Sequence, residues 1–266
     1  MATGVFSEKR AKISERTLRT DKWWLQPLIT FLVLISFVIY ATWRAFEAKH
    51  YFAEPLISPF YSPCLTSACG KASLLGHPLG SGIIFGLAIS PALFILIFPL
   101  GFRMTCYYYR KAYYRSFWMS PSACAVAEPH KSYSGETKLP LIANNFHRYF
   151  FYFGLVFNTL LTIDAVLAFR NAEGQWGHMS LGTVVLLLNA IFLWGYSASC
   201  HSCRHAVGGR LRHFSKHPIR YKLWTLVSRL NTKHQNFAWV SLIWVAFSDF
   251  FVRMVATGTI TNWYFF

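Results

Sequence analysis

The stretch MSLGTVVLLLNAIFLWGYSAS, residues 179–199, contains no charged residue. About 20 consecutive, mainly apolar residues form a helix long enough to cross the hydrocarbon core of a bilayer. A soluble amphipathic helix would carry charged residues along one face, and this stretch has none. It therefore predicts a transmembrane helix and decides the class of the fold.

Four further apolar runs repeat this pattern. The five predicted spans cover residues 27–46, 79–103, 147–170, 179–199 and 236–260. Of the 266 residues, 54% are hydrophobic and only 14% are charged, which excludes an ordinary soluble domain. We predict an all-α integral membrane bundle of five transmembrane helices over residues 27–266, preceded by a basic tail over residues 1–26. The segments outside the membrane are too short for an independent catalytic core.

The distribution of charge predicts the orientation of the bundle. The chain carries 26 Lys and Arg residues against 10 Asp and Glu residues, a net charge of +16. The N-terminal tail and the loops after the second and fourth spans hold 19 of these cations, whereas the opposite loops hold few. Because cytoplasmic loops are enriched in Lys and Arg, we predict a cytoplasmic N-terminus and a C-terminus outside. Arg44, at the end of the first span, is expected to snorkel to the interface.

Cysteines and histidines fall on both predicted sides of the membrane. Outside, Cys64 and Cys69 lie in an oxidising compartment, so we predict a disulfide between them. On the cytoplasmic side, two thiolates and two imidazoles would fit a tetrahedral zinc site or a Rieske-like [2Fe–2S] cluster. The candidate metal ligands are Cys106, Cys124, His147, Cys200, His201 and His205. The sequence does not select four of them, and buried thiols with hydrogen-bonded imidazoles are the structural alternative.

The histidine spacing offers a second interpretation. His201 and His205 are four residues apart, as are His213 and His217, which is the spacing found in histidine-box membrane oxygenases and desaturases. Such enzymes need more histidines on one face, including adjacent His–His pairs. No adjacent pair occurs in this sequence.

Aromatic and basic residues alternate in YYYRKAYYRSFW, residues 107–118. Such a belt anchors a helix at the membrane interface. It also suits a quinone, because a flat apolar ring needs aromatic walls and its carbonyl oxygens need hydrogen-bond donors. We predict a quinone site formed by Tyr109, Trp118, His147, Arg148 and Tyr149. Nucleic-acid binding is not expected, because this stretch lies at the membrane surface.

Two acidic residues lie inside apolar runs, where an unpaired charge is costly. Asp249 and Arg253 are four residues apart, which predicts an ion pair within one helix. Asp164 has no such local partner, so a proton path, a protonated carboxyl and an interhelical bond to Arg253 all stay open. A transporter or channel that uses Asp164 and Asp249 is a third interpretation of the function.

Four segments among the spans resemble a known family: GFRMTCYYYRKAYYRSFW, SACAVAEP, FHRYFFYF and CHSCRHAVGG. They are similar to the membrane-anchor subunit of actinobacterial succinate dehydrogenases, which is related to the cytochrome b subunits of succinate dehydrogenase and fumarate reductase. The resemblance implies a single-chain, multi-pass anchor of respiratory complex II in the plasma membrane. It implies docking of a flavoprotein subunit and an iron–sulfur subunit on the cytoplasmic face, contact with membrane lipid, and electron transfer to quinone, with menaquinone expected. A higher oligomer of the complex also stays open.

Related five-helix anchors often hold two haems between histidines buried within the spans. Here no predicted span has a histidine near its middle, which does not favour that arrangement. A haem b between His50 or His77 and His178, or between His147 and His205, stays a geometric alternative. The Rieske-like cluster is the preferred interpretation, because its candidate ligands lie on the face where the iron–sulfur subunit would dock.

Overall fold

The computed structural model describes residues 19–72, 83–84, 87–88, 90–126, 128–132 and 135–266. Most of the predicted basic tail, His77 and much of the first part of the predicted second span lie outside these residues.

Helices make up most of the described chain. In order they are α1 Leu25–Glu47, α2 Pro91–Ile95, α3 Ile97–Met104, α4 Tyr107–Phe117, α5 Lys138–Asn144, α6 His147–Leu167, α7 Leu181–Ala198, α8 His201–Gly208, α9 Pro218–Asn231 and α10 His234–Ala256. Two antiparallel hairpins accompany them, one formed by β1 Phe52–Ala53 and β2 Leu56–Ile57, the other by β3 Ile83–Ile84 and β4 Leu87–Ala88. Two 3-10 turns cover Ser67–Ala72 and Phe214–Lys216.

Four helical segments of the described chain are long and apolar enough to cross a membrane. They are α1, the segment Lys138–Leu167 that contains α6, and helices α7 and α10. These match four of the five predicted spans. Within the described residues, a fifth candidate span arises only if α2 and α3 are counted together with α4, which turns away from them by 83°. The described part of the chain therefore has four helical segments able to span a membrane, or five if the bent pair forms one span.

The second predicted span, residues 79–103, is wrong as a continuous helix. Hairpin β3–β4 occupies part of its first half, and helix α2 begins only at Pro91. Proline is favoured in the first turn of a helix, because the N–H that it lacks would have no partner within the helix at that position. The apolar composition of the run did not distinguish a hairpin from a helix.

Helix α7 lies at the centre of the bundle and packs against α6 and α10. It begins with a capping box, in which Thr183 N donates to Ser180 Oγ at 3.2 Å and Ser180 N donates to Thr183 Oγ1 at 3.1 Å. A Cβ on Gly195 would lie 2.6 Å from the Phe237 ring, so this glycine permits the close approach of α7 and α10. Helix α6 packs in turn against α3.

The two ends of the bundle differ, and we call them the cavity end and the disulfide end. The cavity end contains the free thiols of Cys106 and Cys200 and the first residues of α6 and α10. The disulfide end contains the loop after α1, in which Cys64 and Cys69 are bonded to each other. The predicted disulfide pair is thus joined in the structure.

A buried ion pair joins α1 and α10 at the disulfide end. Both Arg44 and Asp249 are fully buried, and Arg44 Nε donates to Asp249 Oδ2 at 2.7 Å. The hydroxyls of Tyr40 and Ser58 donate to the same carboxylate. The predicted snorkelling of Arg44 is wrong, because its guanidinium is the buried counter-ion that a buried carboxylate requires.

The predicted ion pair between Asp249 and Arg253 is also wrong. Arg253 Nη2 lies 2.9 Å from Glu47 Oε1, and Glu47 also pairs with Arg44. The four residues of spacing would permit a bond within α10, but each of the two side chains finds its partner on α1. Asp164 on α6 accepts a hydrogen bond from the Ser62 hydroxyl rather than from Arg253.

Candidate functional site

A cavity of about 370 Å³ opens at the cavity end, where helices α3, α6, α7 and α10 begin or end. Two thiols, Cys106 and Cys200, and three imidazoles, His147, His201 and His234, line it. Polar and aromatic residues complete the lining: Thr105, Tyr107, Tyr108, Arg110, Asn144, Ser202 and Asn231.

The two cysteines occupy equivalent positions at helix elbows. Cys106 lies between α3 and α4 with φ −69° and ψ 132°, and Cys200 lies between α7 and α8 with φ −65° and ψ 145°. An extended residue between two helices changes the direction of the chain, so each thiol is held at a corner rather than on a helix face. Both thiols are almost fully buried.

The two histidines are the first residues of spanning helices α6 and α10. His147 Nε2 lies 3.2 Å from Cys200 Sγ, and His234 Nε2 lies 3.5 Å from Cys106 Sγ. Each imidazole therefore faces a thiol from another segment of the chain. These two pairs bring all four donors to one cavity.

Burial determines the state of the Cys200 thiol. It raises the pKa of Cys200 to about 12, and the neighbouring Cys106 thiol acts in the same direction. The thiol is therefore protonated at neutral pH, and it would have to release its proton on binding a metal. Within the described residues, no three His, Cys, Asp or Glu side chains surround a point suited to a single metal ion.

The six candidate ligands from the sequence are only partly brought together. Cys106, His147, Cys200 and His201 line the cavity, although His201 is exposed. Cys124 is an exposed free thiol that does not line the cavity, and His205 is exposed and contacts Arg148. His205 does not line the cavity that contains His147.

The sequence did not single out His234 as a candidate ligand. It is 3% exposed and contacts Cys106, which is 128 residues away along the chain. One signal could have found it: His147 and His234 both stand where an apolar span begins on the same predicted side. Cys–His spacing within one segment favoured His201 and His205 instead.

Two aromatic rings separate this cavity from a second one. The Tyr196 ring stacks on His234 with centroids 5.0 Å apart, and the Phe102 ring stacks on His147 at 5.1 Å. On their other side, Tyr196 and Phe102 line an apolar crevice of about 330 Å³. The crevice continues toward the disulfide end, past residues such as Phe37, Ala41, Leu96, Leu100 and Phe60.

Polar groups are concentrated at the inner end of the crevice. The Tyr196 ring is 1% exposed, and its hydroxyl has no hydrogen-bond partner among the described residues. The Arg103 guanidinium lies over that ring at 4.9 Å and donates to Ser241 Oγ and to the Tyr109 hydroxyl. In the described part of the chain, no carboxylate lies within ion-pair distance of Arg103.

The five residues predicted to bind quinone do not meet at one place. Tyr109 is buried and donates to Ala238 O at 2.5 Å, while His147 lines the Cys/His cavity. Trp118 and Tyr149 are 48% and 60% exposed, and Arg148 is an exposed partner of His205. These five side chains therefore do not line one common cavity.

Comparisons with known proteins agree with this architecture. None of the curated proteins searched matches the chain. Among solved structures, the chain is similar to one from the Mycobacterium smegmatis Sdh1 complex in the apo form, with 53% sequence identity and a TM-score of 0.87. That similarity covers 100% of this chain and 99% of the other. The family model described as actinobacterial succinate dehydrogenase subunit SdhC matches residues 25–258. The chain therefore belongs to the family of the actinobacterial succinate dehydrogenase subunit SdhC.

Proposed function

We propose that the chain is the membrane anchor of a succinate:quinone oxidoreductase in the plasma membrane. It docks the flavoprotein and iron–sulfur subunits at the cavity end and takes part in electron transfer from them to quinone, with menaquinone expected. The observation that carries this proposal is the meeting of Cys106, His147, Cys200 and His234 at one cavity, within a membrane subunit of succinate dehydrogenase. Family membership overturns the histidine-box oxygenase and the transporter or channel as alternatives.

The donor set of the cavity fits a Rieske-like [2Fe–2S] centre. In such a centre two cysteines bind one iron and two histidines bind the other, so each iron needs only two protein ligands. A structural zinc ion would need four ligands around one point. Two thiols and two imidazoles, distributed over four segments around 370 Å³, suit the binuclear group better. When bound, the centre would accept and pass on single electrons.

The charge of the two ends supports the predicted orientation. At the cavity end, the connection between α7 and α10 contains helices α8 and α9 and is rich in cations. These cations are Arg204, Arg210, Arg212, Lys216, Arg220, Lys222, Arg229 and Lys233. The disulfide at the other end is the bond expected in an oxidising compartment. Both observations favour a cytoplasmic cavity end, where soluble subunits can approach a basic surface.

The apolar crevice supports a quinone site one aromatic ring away from the cavity. Its walls suit an isoprenoid tail, and its inner end offers the unpartnered Tyr196 hydroxyl and the Arg103 guanidinium as donors to a quinone carbonyl. The interfacial set that includes Trp118 and Tyr149 stays a prediction. The crevice is favoured because its donors and its apolar walls share one surface.

The first test is low-temperature EPR and iron analysis of the purified complex, with Cys106→Ser as the ligand variant. We expect a Rieske-type signal in the wild type and its loss in the variant, together with loss of quinone reduction. Succinate oxidation by an artificial acceptor should persist, because the soluble subunits would be unaffected. A wild-type complex with no iron beyond the partner clusters would overturn the iron–sulfur part of the proposal, and haem absorption would favour the haem alternative.

Thiol labelling tests the orientation. Cys124 is exposed, whereas burial raises the pKa of Cys200 to about 12, so a maleimide at pH 7 should modify Cys124 and spare Cys200. A membrane-impermeant maleimide should label Cys124 in inverted vesicles and not in intact cells. A Cys124→Ser variant provides the control for label at other thiols. Labelling in intact cells would reverse the proposed topology.

A further inference from the structure

A hydroxyl residue directly precedes each cavity cysteine. Thr105 precedes Cys106 at the elbow between α3 and α4, and Ser199 precedes Cys200 at the elbow between α7 and α8. The proposed function assigns no task to either hydroxyl. Their position beside the histidines indicates one.

The hydroxyls and the thiols contact the histidines in a crossed arrangement. His147 has its Nδ1 2.8 Å from Thr105 Oγ1 and its Nε2 3.2 Å from Cys200 Sγ. His234 has its Nδ1 2.8 Å from Ser199 Oγ and its Nε2 3.5 Å from Cys106 Sγ. Each elbow thus gives its hydroxyl to one histidine and its thiol to the other.

The second contact of each hydroxyl defines the direction of these hydrogen bonds. Thr105 Oγ1 donates to Gly101 O at 2.6 Å, and Ser199 Oγ donates to Tyr196 O at 3.1 Å. A hydroxyl has one proton, so an oxygen that donates to a carbonyl can only accept from a neighbouring imidazole. Each histidine then carries its proton on Nδ1 and leaves a lone pair on Nε2.

We propose that Thr105 and Ser199 are positioning residues that hold both imidazoles in the Nδ1–H tautomer, so that both Nε2 lone pairs face the cavity. The inference rests on the proposed iron–sulfur site. A histidine that binds a metal through one ring nitrogen usually donates the N–H of the other nitrogen to a partner, which fixes the orientation of the ring and raises its basicity. Here two hydroxyls, each anchored to a helix carbonyl, supply that partner.

The test is the midpoint potential, the EPR g-values and the iron content of the purified complex with Thr105→Val or Ser199→Ala. Without the hydroxyl that accepts its N–H, the imidazole becomes a weaker electron-pair donor to oxidised iron. The midpoint potential of the centre should therefore rise. A tenfold loss of binding affinity for the oxidised centre relative to the reduced centre corresponds to a rise of about 59 mV for a one-electron couple. Iron retention should weaken by about 10- to 100-fold.

Two further variants separate the hydroxyl from packing. Thr105→Ser keeps the hydroxyl and should retain the wild-type potential and iron. Thr159→Val removes a hydroxyl on α6 that donates to Leu155 O and should leave both readings unchanged. If Thr105→Val loses the cluster and Thr105→Ser keeps it, the proposal is supported even without a potential for the valine variant.

The outcomes distinguish this inference from the proposed function. A wild-type complex without the additional iron signal removes the proposed site and the inference together. A wild-type signal that stays unchanged in Thr105→Val and Ser199→Ala overturns the inference alone. Equal effects of Thr105→Ser and Thr105→Val would also overturn it, because the hydroxyl would then not be the active feature.

Discussion

The two ends of the bundle solve the problem of buried polar groups in opposite ways. At the disulfide end, Arg44 and Asp249 are fully buried and paired with each other. Neighbouring hydroxyls also donate to Asp249, and Arg44 also donates to Glu47 and to Lys49 O. At the cavity end, thiols and imidazoles line a cavity, and a buried tyrosine hydroxyl has no partner within the described residues.

This difference distinguishes polar groups that pair within the chain from polar groups at the proposed ligand sites. A paired charge inside a membrane protein is satisfied by the chain itself. The Tyr196 hydroxyl has no partner within the described residues and is costly to bury alone, which supports its assignment to the proposed quinone site. The comparison predicts that variants at the disulfide end change stability, whereas variants at the cavity end change electron transfer.

The largest stability effect is expected from Asp249→Ala. Removal of one partner of a buried ion pair typically costs about 3–5 kcal/mol, because the other charge stays buried and unpaired. We expect the unfolding free energy of the purified complex to fall by that amount, as measured by denaturant titration. The paired change Arg44→Met with Asp249→Leu should recover most of the loss.

An exposed ion pair at the other end provides the matched control. Arg19 and Asp21 form a salt bridge with side chains 31% and 56% exposed. Exposed pairs often contribute nothing measurable, so Asp21→Asn should leave stability unchanged. Equal effects of Asp249→Ala and Asp21→Asn would contradict the assignment of the buried network as the structural one.

A smaller and purely functional effect is expected from Tyr196→Phe. The hydroxyl has no partner to lose among the described residues, so the unfolding free energy should not fall. One hydrogen bond to a quinone carbonyl is worth about 1 kcal/mol, which predicts a roughly fivefold lower kcat/KM for quinone. Tyr152→Phe, on an exposed ring of α6, should change neither quantity. A loss of stability without a kinetic change would contradict the quinone role.

The smallest effect is expected from Asp164→Asn, which tests the proposed proton path. The asparagine oxygen can still accept from Ser62, so the fold should be unaffected. If Asp164 transfers protons, quinone reduction should slow in this variant, because the asparagine amide does not take up and release a proton near neutral pH. Asp164→Glu should restore the rate. An unchanged rate in the asparagine variant would remove Asp164 from the path.

Local patterns of hydropathy and charge predicted the spans that consist of single helices. The first residue of each of these helices, α1, α6, α7 and α10, lies within three residues of the predicted start of its span. The longer apolar segment Lys138–Leu167, which contains α6, begins earlier than predicted. The second span failed, because an apolar run can form a hairpin as well as a helix when its partners are distant. Hydropathy reports how apolar a segment is and not which neighbours complete its backbone hydrogen bonds.

Pairing between distant segments was the main source of error at both ends. Asp249 could pair with Arg253 by spacing, yet Arg44, 205 residues away, takes that place. His234 was overlooked, because its thiol partner Cys106 is separated from it by 128 residues. Spacing within a helix lists the contacts that are geometrically allowed. The rotation and register of packed helices select among them.

The sequence by itself determined that this chain lies in a membrane, that its spans are helical, and that thiols, imidazoles and cations gather toward one end. These properties follow from composition within short segments, because burial of apolar surface acts locally and adds along the chain. The tertiary structure alone decided which thiols and imidazoles share a cavity, that two aromatic rings separate them from an apolar crevice, and that two hydroxyls contact the histidines. Those features depend on angles and distances of a few ångströms between helices, because hydrogen bonds are directional and short in range.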